Sequence, residues 1–446
     1  MGLLDPLFTT PRMSEVFSDR RRLQAMLDFE AALARALVRA GVASGIVPAI
    51  ESRCQAELFD FESLARDAAL AGNLAIPLVK ALTALVAEAD PNAARFVHWG
   101  ATSQDAIDTG LVLQLRDALE LLDTGLNDLC GILARLAAKH RSTVMAGRTW
   151  LQQALPVTFG LTAAGWLGAI ERHRARLRDA RARVLVIQFG GAVGTLAALG
   201  DRGLAVAAAL AEELRLSLPD LPWHSHRDRV AEVATTLGLL VGTLGKIARD
   251  VSLMAQTEVG EVSEPAVPGR GVSSSMPHKR NPVGSAVVLA AAIRVPALVS
   301  VMLTAMVQEH ERGPGGWQAE WEALPEICRL TAGALFHMTQ VLDGLEVHEA
   351  KMTANLEATH GLILSEALAV VLGKSIGRPA AHSLVEEACR RALADNRHLG
   401  QVLMEDAEVR AHLSPEEIER LLDPKNYTGL AESLVDRVLR KCREKP

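Results

Sequence analysis

Between Pro265 and Gly284 the chain reads PAVPGRGVSSSMPHKRNPVG, and its density of Pro, Gly and Ser predicts a loop. The loop closes on Asn281–Pro282 ahead of an apolar run, the signature of a helix start with Asn at the cap and Pro in the first turn. Free N–H groups and the positive dipole end of such a helix attract anions, and Lys279 and Arg280 add cationic charge at the same place. Ser273 opens a run of three serines a few residues upstream. A serine is a poor base at its own pKa. Backbone donors and a nearby ammonium would stabilise its alkoxide, and closure over a bound anion would exclude water. The chemistry implied is proton transfer beside an anion, with one of the three serines and Lys279 as its candidates. A surface loop before a well-capped helix is the alternative, and the residues alone leave both open.

Two further polar stretches interrupt apolar periodicity. His98 to Thr109 reads HWGATSQDAIDT, in which Thr102 and Asp105 form the capping pattern before an apolar run. Capping by itself accounts for those residues; Thr102, Ser103 and the helix N-terminus also compose an oxyanion-friendly pocket, with His98 close by in sequence. Ala146 to Gly160 reads AGRTWLQQALPVTFG, setting Arg148, Gln152 and Gln153 among apolar neighbours. Trp150 offers one N–H donor and cannot carry a catalytic proton. Other motifs fail: Phe189 to Gly194 is not a GxGxxG turn, His310–Glu311 is not HExxH, and no serine stands three residues before Lys279. His224 and His226 lack a visible third metal ligand and are read as structural or solvent-facing, so no metal or other cofactor is expected.

The elements that must position these residues are helices. Leu23 to Val38, Asp105 to Leu122, Leu126 to Ala138, Val230 to Ala255 and Val283 to Val307 carry apolar residues at three- and four-residue spacing. Short extended pieces are expected around Arg148 to Val157 and Ala182 to Phe189. No 20–50-residue repeat is visible. The predicted fold is all-α, with a helical domain over residues 1–109, a long central bundle over 110–344 and a C-terminal helical domain over 345–446.

Composition agrees. Of 446 residues 49% are apolar but only 4% aromatic, a skew toward Ala, Leu and Val that fills helix–helix seams. A positive mean hydropathy points to surface hidden in an oligomer. A net charge of −6 argues against nucleic acid as a partner, and the six arginines between Arg172 and Arg183 read as a solvated helix face balanced by Glu171 and Asp179. Five scattered cysteines without a CxxC pair fit reduced thiols in the cytoplasm. No signal peptide is expected at the N-terminus. Ser285 to Val307, interrupted by Arg294 and Pro296, reads as a helix buried among helices rather than as a membrane partner.

Taken in order, the three polar stretches resemble the fumarase/aspartase superfamily. Ser273–Pro282, reading SSSMPHKRNP, is similar to the signature loop GSSxMPxKxNP, with the lead-in TEVGEVSEP over residues 257–265. Val272 stands where that loop usually has Gly, and Gly271 lies one place earlier. The resemblance implies three helical domains, a helical core shared by four subunits, and active sites built by three of them. It further implies that Ser273 transfers the proton, that Lys279 and Asn281 hold a carboxylate of a small polycarboxylate substrate, that Thr102 and Ser103 hold another, and that His98 and Gln152 line the pocket. Arg148-Thr149-Trp150 departs from the RTH of fumarases and adenylosuccinate lyases. A histidine there assists an amine or hydroxyl leaving group, whereas a carboxylate needs no help at neutral pH. The Trp and its flanks resemble the bacterial carboxymuconate-lactonising branch of protocatechuate breakdown, as does Glu309–Arg312 with Trp317 and Trp321. An adenylosuccinate-type lyase is the alternative.

Overall fold

A computed structural model describes residues 2–273, 275–276 and 278–443, so Ser274 and Pro277 of the serine-rich loop lie outside it. The fold is all-α, as expected. The principal helices are α1 (Asp19–Arg39), α2 (Ser103–Lys139), α3 (Phe159–Val184), α4 (Asp228–Met254), α5 (Val283–Ala305) and α6 (Gly316–Asp343), joined by shorter ones. Among the described residues, strands form two antiparallel pairs: β1 (Val144–Thr149) with β2 (Gln152–Thr158), and β3 (Val262–Ser263) with β4 (Glu346–Val347).

Two sequence expectations need correction. The runs Asp105–Leu122 and Leu126–Ala138 belong to one unbroken 37-residue helix, α2. No proline stands between them, and Gly125 costs a helix only about 1 kcal/mol. Its missing side chain also makes room for Leu335, which a Cβ would approach to 2.9 Å. The second correction concerns Ala182 to Phe189. Helix α3 continues through Val184, leaving a single bridge between Val186 and Ser217 as extended structure. The arginine-rich run keeps α3 going because Arg174, Arg181 and Arg183 find acids on other helices, namely Asp123, Glu120 and Glu232.

The chain forms two compact units: residues 1–126, 173–245 and 287–337, and residues 127–172, 246–286 and 338–446. All five helices from α2 to α6 continue from one into the other. In the first unit, α1 starts at a Ser18 cap and turns Leu23, Met26, Leu27, Leu33 and Leu37 inward. It approaches α2 at Gly110, where a Cβ would come within 3.2 Å of Met26. In the second, Leu368, Leu372, Val385, Leu399, Leu403 and Ile418 make the C-terminal core. The β1–β2 hairpin is seated through Ala146 on Leu356, Ile363 and Leu364.

By length and composition alone, α4 and α5 could cross a membrane; 61% of the most apolar window of α4 is buried but only 22% of that of α5. Ile293, Val301 and Leu303 on α5 are exposed, so the expected burial among helices is not supplied by this chain alone. Among the described residues no cysteine is in a disulfide.

Candidate functional site

In the first unit the site begins at the N-terminus of α2. Asp105 reaches back to the Thr102 N–H at 3.0 Å, which is the expected capping contact. The same carboxylate, wholly buried, accepts from His224 Nε2 at 2.7 Å, from Gln188 Nε2, and from the N–H groups of Gly190 and Gly191. His224 is therefore structural. One turn on, Asp108 receives Arg227 and Trp317, while Arg227 also forks onto Glu320. Burial pushes the Glu320 carboxyl up, against the pull of Arg227. Arg312 donates to Gln104 at 2.7 Å. A buried polar network with its members paired holds Thr102 and Ser103 rigidly, because unpaired groups there would be costly. His98 lies on the preceding loop with φ +58° and meets Glu30 of α1 at 2.6 Å. Sequence reasoning missed Glu30, although a carboxylate on the apolar stripe of an amphipathic helix was a visible anomaly.

In the second unit, Arg148 forks onto Glu261, with Nη1 and Nη2 at 2.8 and 2.7 Å from the two carboxylate oxygens. Glu261 is fully buried and also accepts from Asn355. Neither partner was singled out in the sequence, since each lies more than ninety positions from Arg148. Beyond Arg148 the hairpin turns in two residues, Trp150 and Leu151, between the paired Thr149 and Gln152. Both have positive φ, 53° and 65°, as in a type I′ turn. That turn favours Asn-Gly; bulky residues in left-handed backbone cost roughly 1–2 kcal/mol each. Trp150 is 97% exposed, and Gln152 is exposed beside it. The tip thus holds a large aromatic side chain outward at a conformational cost that local packing does not explain.

The signature loop is pinched at its base. Gly271 O accepts from both the backbone N and the Nδ2 of Asn281, at 3.0 and 3.2 Å, and Val272 bridges Arg280. This register sets Ser273 and Lys279 one step further along on opposing arms. Gly271 has φ +68°, and a Cβ there would meet Asn281 O at 2.6 Å. The loop can therefore carry Val272 where the signature usually has Gly, because Gly271 makes the close approach. Ser273 Oγ accepts from the N–H groups of Ser275 and Met276 at 3.3 and 3.1 Å. These are the backbone donors an alkoxide requires. The Lys279 side chain is exposed.

One expectation about this loop changes. The free N–H groups at the start of α5 are occupied by the chain's own anion: Glu264 accepts from Gly284 N, Ser285 N and Ser285 Oγ at 3.0, 2.8 and 2.7 Å. Asn281, expected as the cap, serves the loop base instead. Arg280 is engaged by Glu346 and the Glu264 carbonyl, and its guanidinium holds Glu346 below the usual carboxylate range. Among the described residues of the loop, Lys279 is the exposed cation with no ion pair. Among the described residues, no group of three or more His, Cys, Asp and Glu could hold a metal ion.

The structure brings together Ser273, Lys279 and Asn281, and gathers Thr102, Ser103 and His98 in the other unit; Arg148, Trp150 and Gln152 share the hairpin. Residues 8–297 match the model of a family described as lyase, and residues 361–438 match that of the adenylosuccinate lyase C-terminus. The chain is 59% identical to a 3-carboxy-cis,cis-muconate cycloisomerase of Pseudomonas aeruginosa, over 98% of this chain and 95% of the relative. It is 56% identical to the Pseudomonas putida enzyme of the same name, over 94% and 99%. A crystal structure of the 3-carboxy-cis,cis-muconate lactonizing enzyme from Pseudomonas putida superposes with a TM-score of 0.95 at 55% identity, covering 99% of each chain. With its signature loop intact and the match spanning both units, the chain belongs to the lyase family of the fumarase/aspartase superfamily.

Proposed function

We propose that the chain is a cycloisomerase that closes 3-carboxy-cis,cis-muconate to a carboxymuconolactone, in the protocatechuate branch of the β-ketoadipate pathway. The observation that carries this reading is Trp150, held outward at a strained hairpin tip where amine- and water-releasing members of the superfamily have histidine. The names of the relatives agree with it.

One carboxylate of the substrate attacks a carbon of the diene, so the protein supplies no nucleophile. The C–O bond forms as the adjacent double bond's electrons move onto the neighbouring carboxylate, giving an aci-carboxylate. Lys279 and the second N–H of Asn281 stabilise that charge, at about 3–4 kcal/mol for a well-placed donor. Ser273 gives its Oγ proton to carbon, and the alkoxide left behind rests against the Ser275 and Met276 N–H groups until water reprotonates it. The balance is one C–O bond and one C–H bond formed for one C=C π bond lost, with a single proton taken up from water as the carboxylate becomes a lactone. Thr102 and Ser103 hold a second carboxylate on the framework fixed by Asp105. His98, Arg148, Trp150 and Gln152 line the pocket, with Arg148 oriented by Glu261.

The assembly is a homotetramer in the cytoplasm, with the apolar face of α5 covered by other copies and each site built from the Thr102, Trp150 and Ser273 regions of different subunits. The 22% burial of α5 in one chain supports this. The division into domains at residues 109 and 344 is part of the same reading.

Ultraviolet absorbance separates the candidates. We expect the purified protein to consume the carboxymuconate diene chromophore and leave adenylosuccinate unchanged. Brisk release of fumarate from adenylosuccinate, with no action on carboxymuconate, would overturn the proposal.

A further inference from the structure

The buried groups left over by this mechanism are few, and one faces a residue of the site. Glu30 sits at the middle of α1 among Phe29, Leu33, Leu27 and Ala34, with its side chain 1% exposed. A carboxylate so deep needs a counter-charge or it does not stay ionised. Among the described residues no lysine or arginine is paired with it. Arg35, further along α1, is engaged by Glu213 and Glu51. Nearby Cys54 stays a neutral thiol, because burial pushes its pKa up. Among the described residues the cationisable group paired with Glu30 is His98, whose Nδ1 lies 2.6 Å from Oε1, while Oε2 is buried without a partner there.

His98 is itself placed with some strain. Its φ of +58° turns the ring back from the loop onto α1, and its side chain is only 14% exposed. With Nδ1 committed to Glu30, Nε2 is the ring's other donor and makes no hydrogen bond among the described residues. An imidazolium tied at Nδ1 has one fixed direction for its second N–H, the arrangement used to orient metal-bound and catalytic imidazoles. Four residues on, Thr102 opens the helix that carries the proposed carboxylate-binding pair.

We propose that Glu30 is a positioning residue of the reaction: it fixes the His98 ring as an imidazolium whose Nε2–H is offered to a carboxylate of the substrate. This rests on the cycloisomerase reading for the identity of the substrate, but not for the pairing itself. Burial works to lower the His98 pKa, and the charge and hydrogen bond of Glu30, aided by Asp105, outweigh it and raise it. Asp105 is saturated by His224, Gln188 and three backbone N–H groups, so its share is through space. A raised imidazole pKa means the cation persists to higher pH than on an ordinary imidazole and is lost as pH rises through that value. Carboxylate binding should weaken over the same window.

Two measurements test this. Histidine C2-hydrogen exchange read by mass spectrometry, from roughly pH 5 to 9, gives the His98 titration directly without any substrate. We expect its midpoint above the ordinary imidazole value of about 6.5 in the native protein, and a fall in Glu30→Gln. In the same variant KM for carboxymuconate at pH 8 should rise about tenfold and kcat change less than about threefold. Binding of tricarballylate, measured by calorimetry, should weaken alongside, and the alkaline limb of kcat/KM should move to lower pH. Glu30→Asp, which keeps the charge, should restore part of each effect. A native His98 titrating at or below 6.5 overturns the proposal even if Glu30→Gln fails to fold. So does a folded Glu30→Gln with unchanged His98 midpoint and tricarballylate affinity. A native protein inert toward carboxymuconate whose His98 titrates high sinks the substrate assignment and leaves the pair standing.

Discussion

Ser273 differs from an ordinary loop serine in what surrounds its oxygen. Two backbone N–H groups point at Oγ, and Lys279 lies on the opposing arm of the loop. Donors of this kind lower the cost of the alkoxide without binding substrate themselves, so on the proposed mechanism they act on the proton-transfer step. Ser273→Ala should therefore lower kcat by at least about a hundredfold, with KM within about threefold of native, in steady-state ultraviolet kinetics. A comparable loss in both would instead assign the hydroxyl to substrate binding. The residues around Thr102 differ in kind. Asp108, Arg227 and Glu320 are buried and paired with one another, Asp105 is buried among donors of its own, and their contribution is to keep a helix end in place.

At the scale of elements, the loop base is where a small change should have a large effect. Gly271 has no room for a Cβ and stands at a φ that an L side chain resists. Gly271→Ala should part the two arms that carry Ser273 and Lys279 and lower kcat/KM about tenfold, while the helical circular dichroism spectrum is unchanged. The sequence made the long helices legible because their apolar spacing is strong and regular, and α1, α4 and α5 begin and end within a few residues of expectation. It also marked the signature loop, and extended structure where the hairpin lies, without the turn at Trp150 and Leu151. Three things escaped it. The continuity of α2 through Gly125 depends on Leu335, far along the chain. Occupation of the α5 terminus by Glu264 depends on a contact across twenty residues. The Arg148–Glu261 and His98–Glu30 pairs join elements that no local period connects.

For the whole molecule, the apolar face of α5 is the feature that a single chain leaves unresolved. A stripe containing Ile293, 77% exposed, with Val301 and Leu303 is costly in water, at roughly 25 cal/mol for each Å² left uncovered. On the tetramer reading, Ile293→Asp should shift the protein to smaller species in sedimentation velocity and abolish turnover together with the assembly, while subunits retain helical content. A variant that stays tetrameric would place the contact elsewhere. Assembly also gives the β1–β2 hairpin another significance. Its outermost position is fixed by cross-strand pairing on either side and, within its own subunit, packs on nothing. Exchange of that one side chain leaves the scaffold that presents it untouched. If that side chain meets the leaving group, as the proposed function has it, a fingertip of this kind lets new leaving groups be tried one codon at a time, with the indole at Trp150 as one outcome.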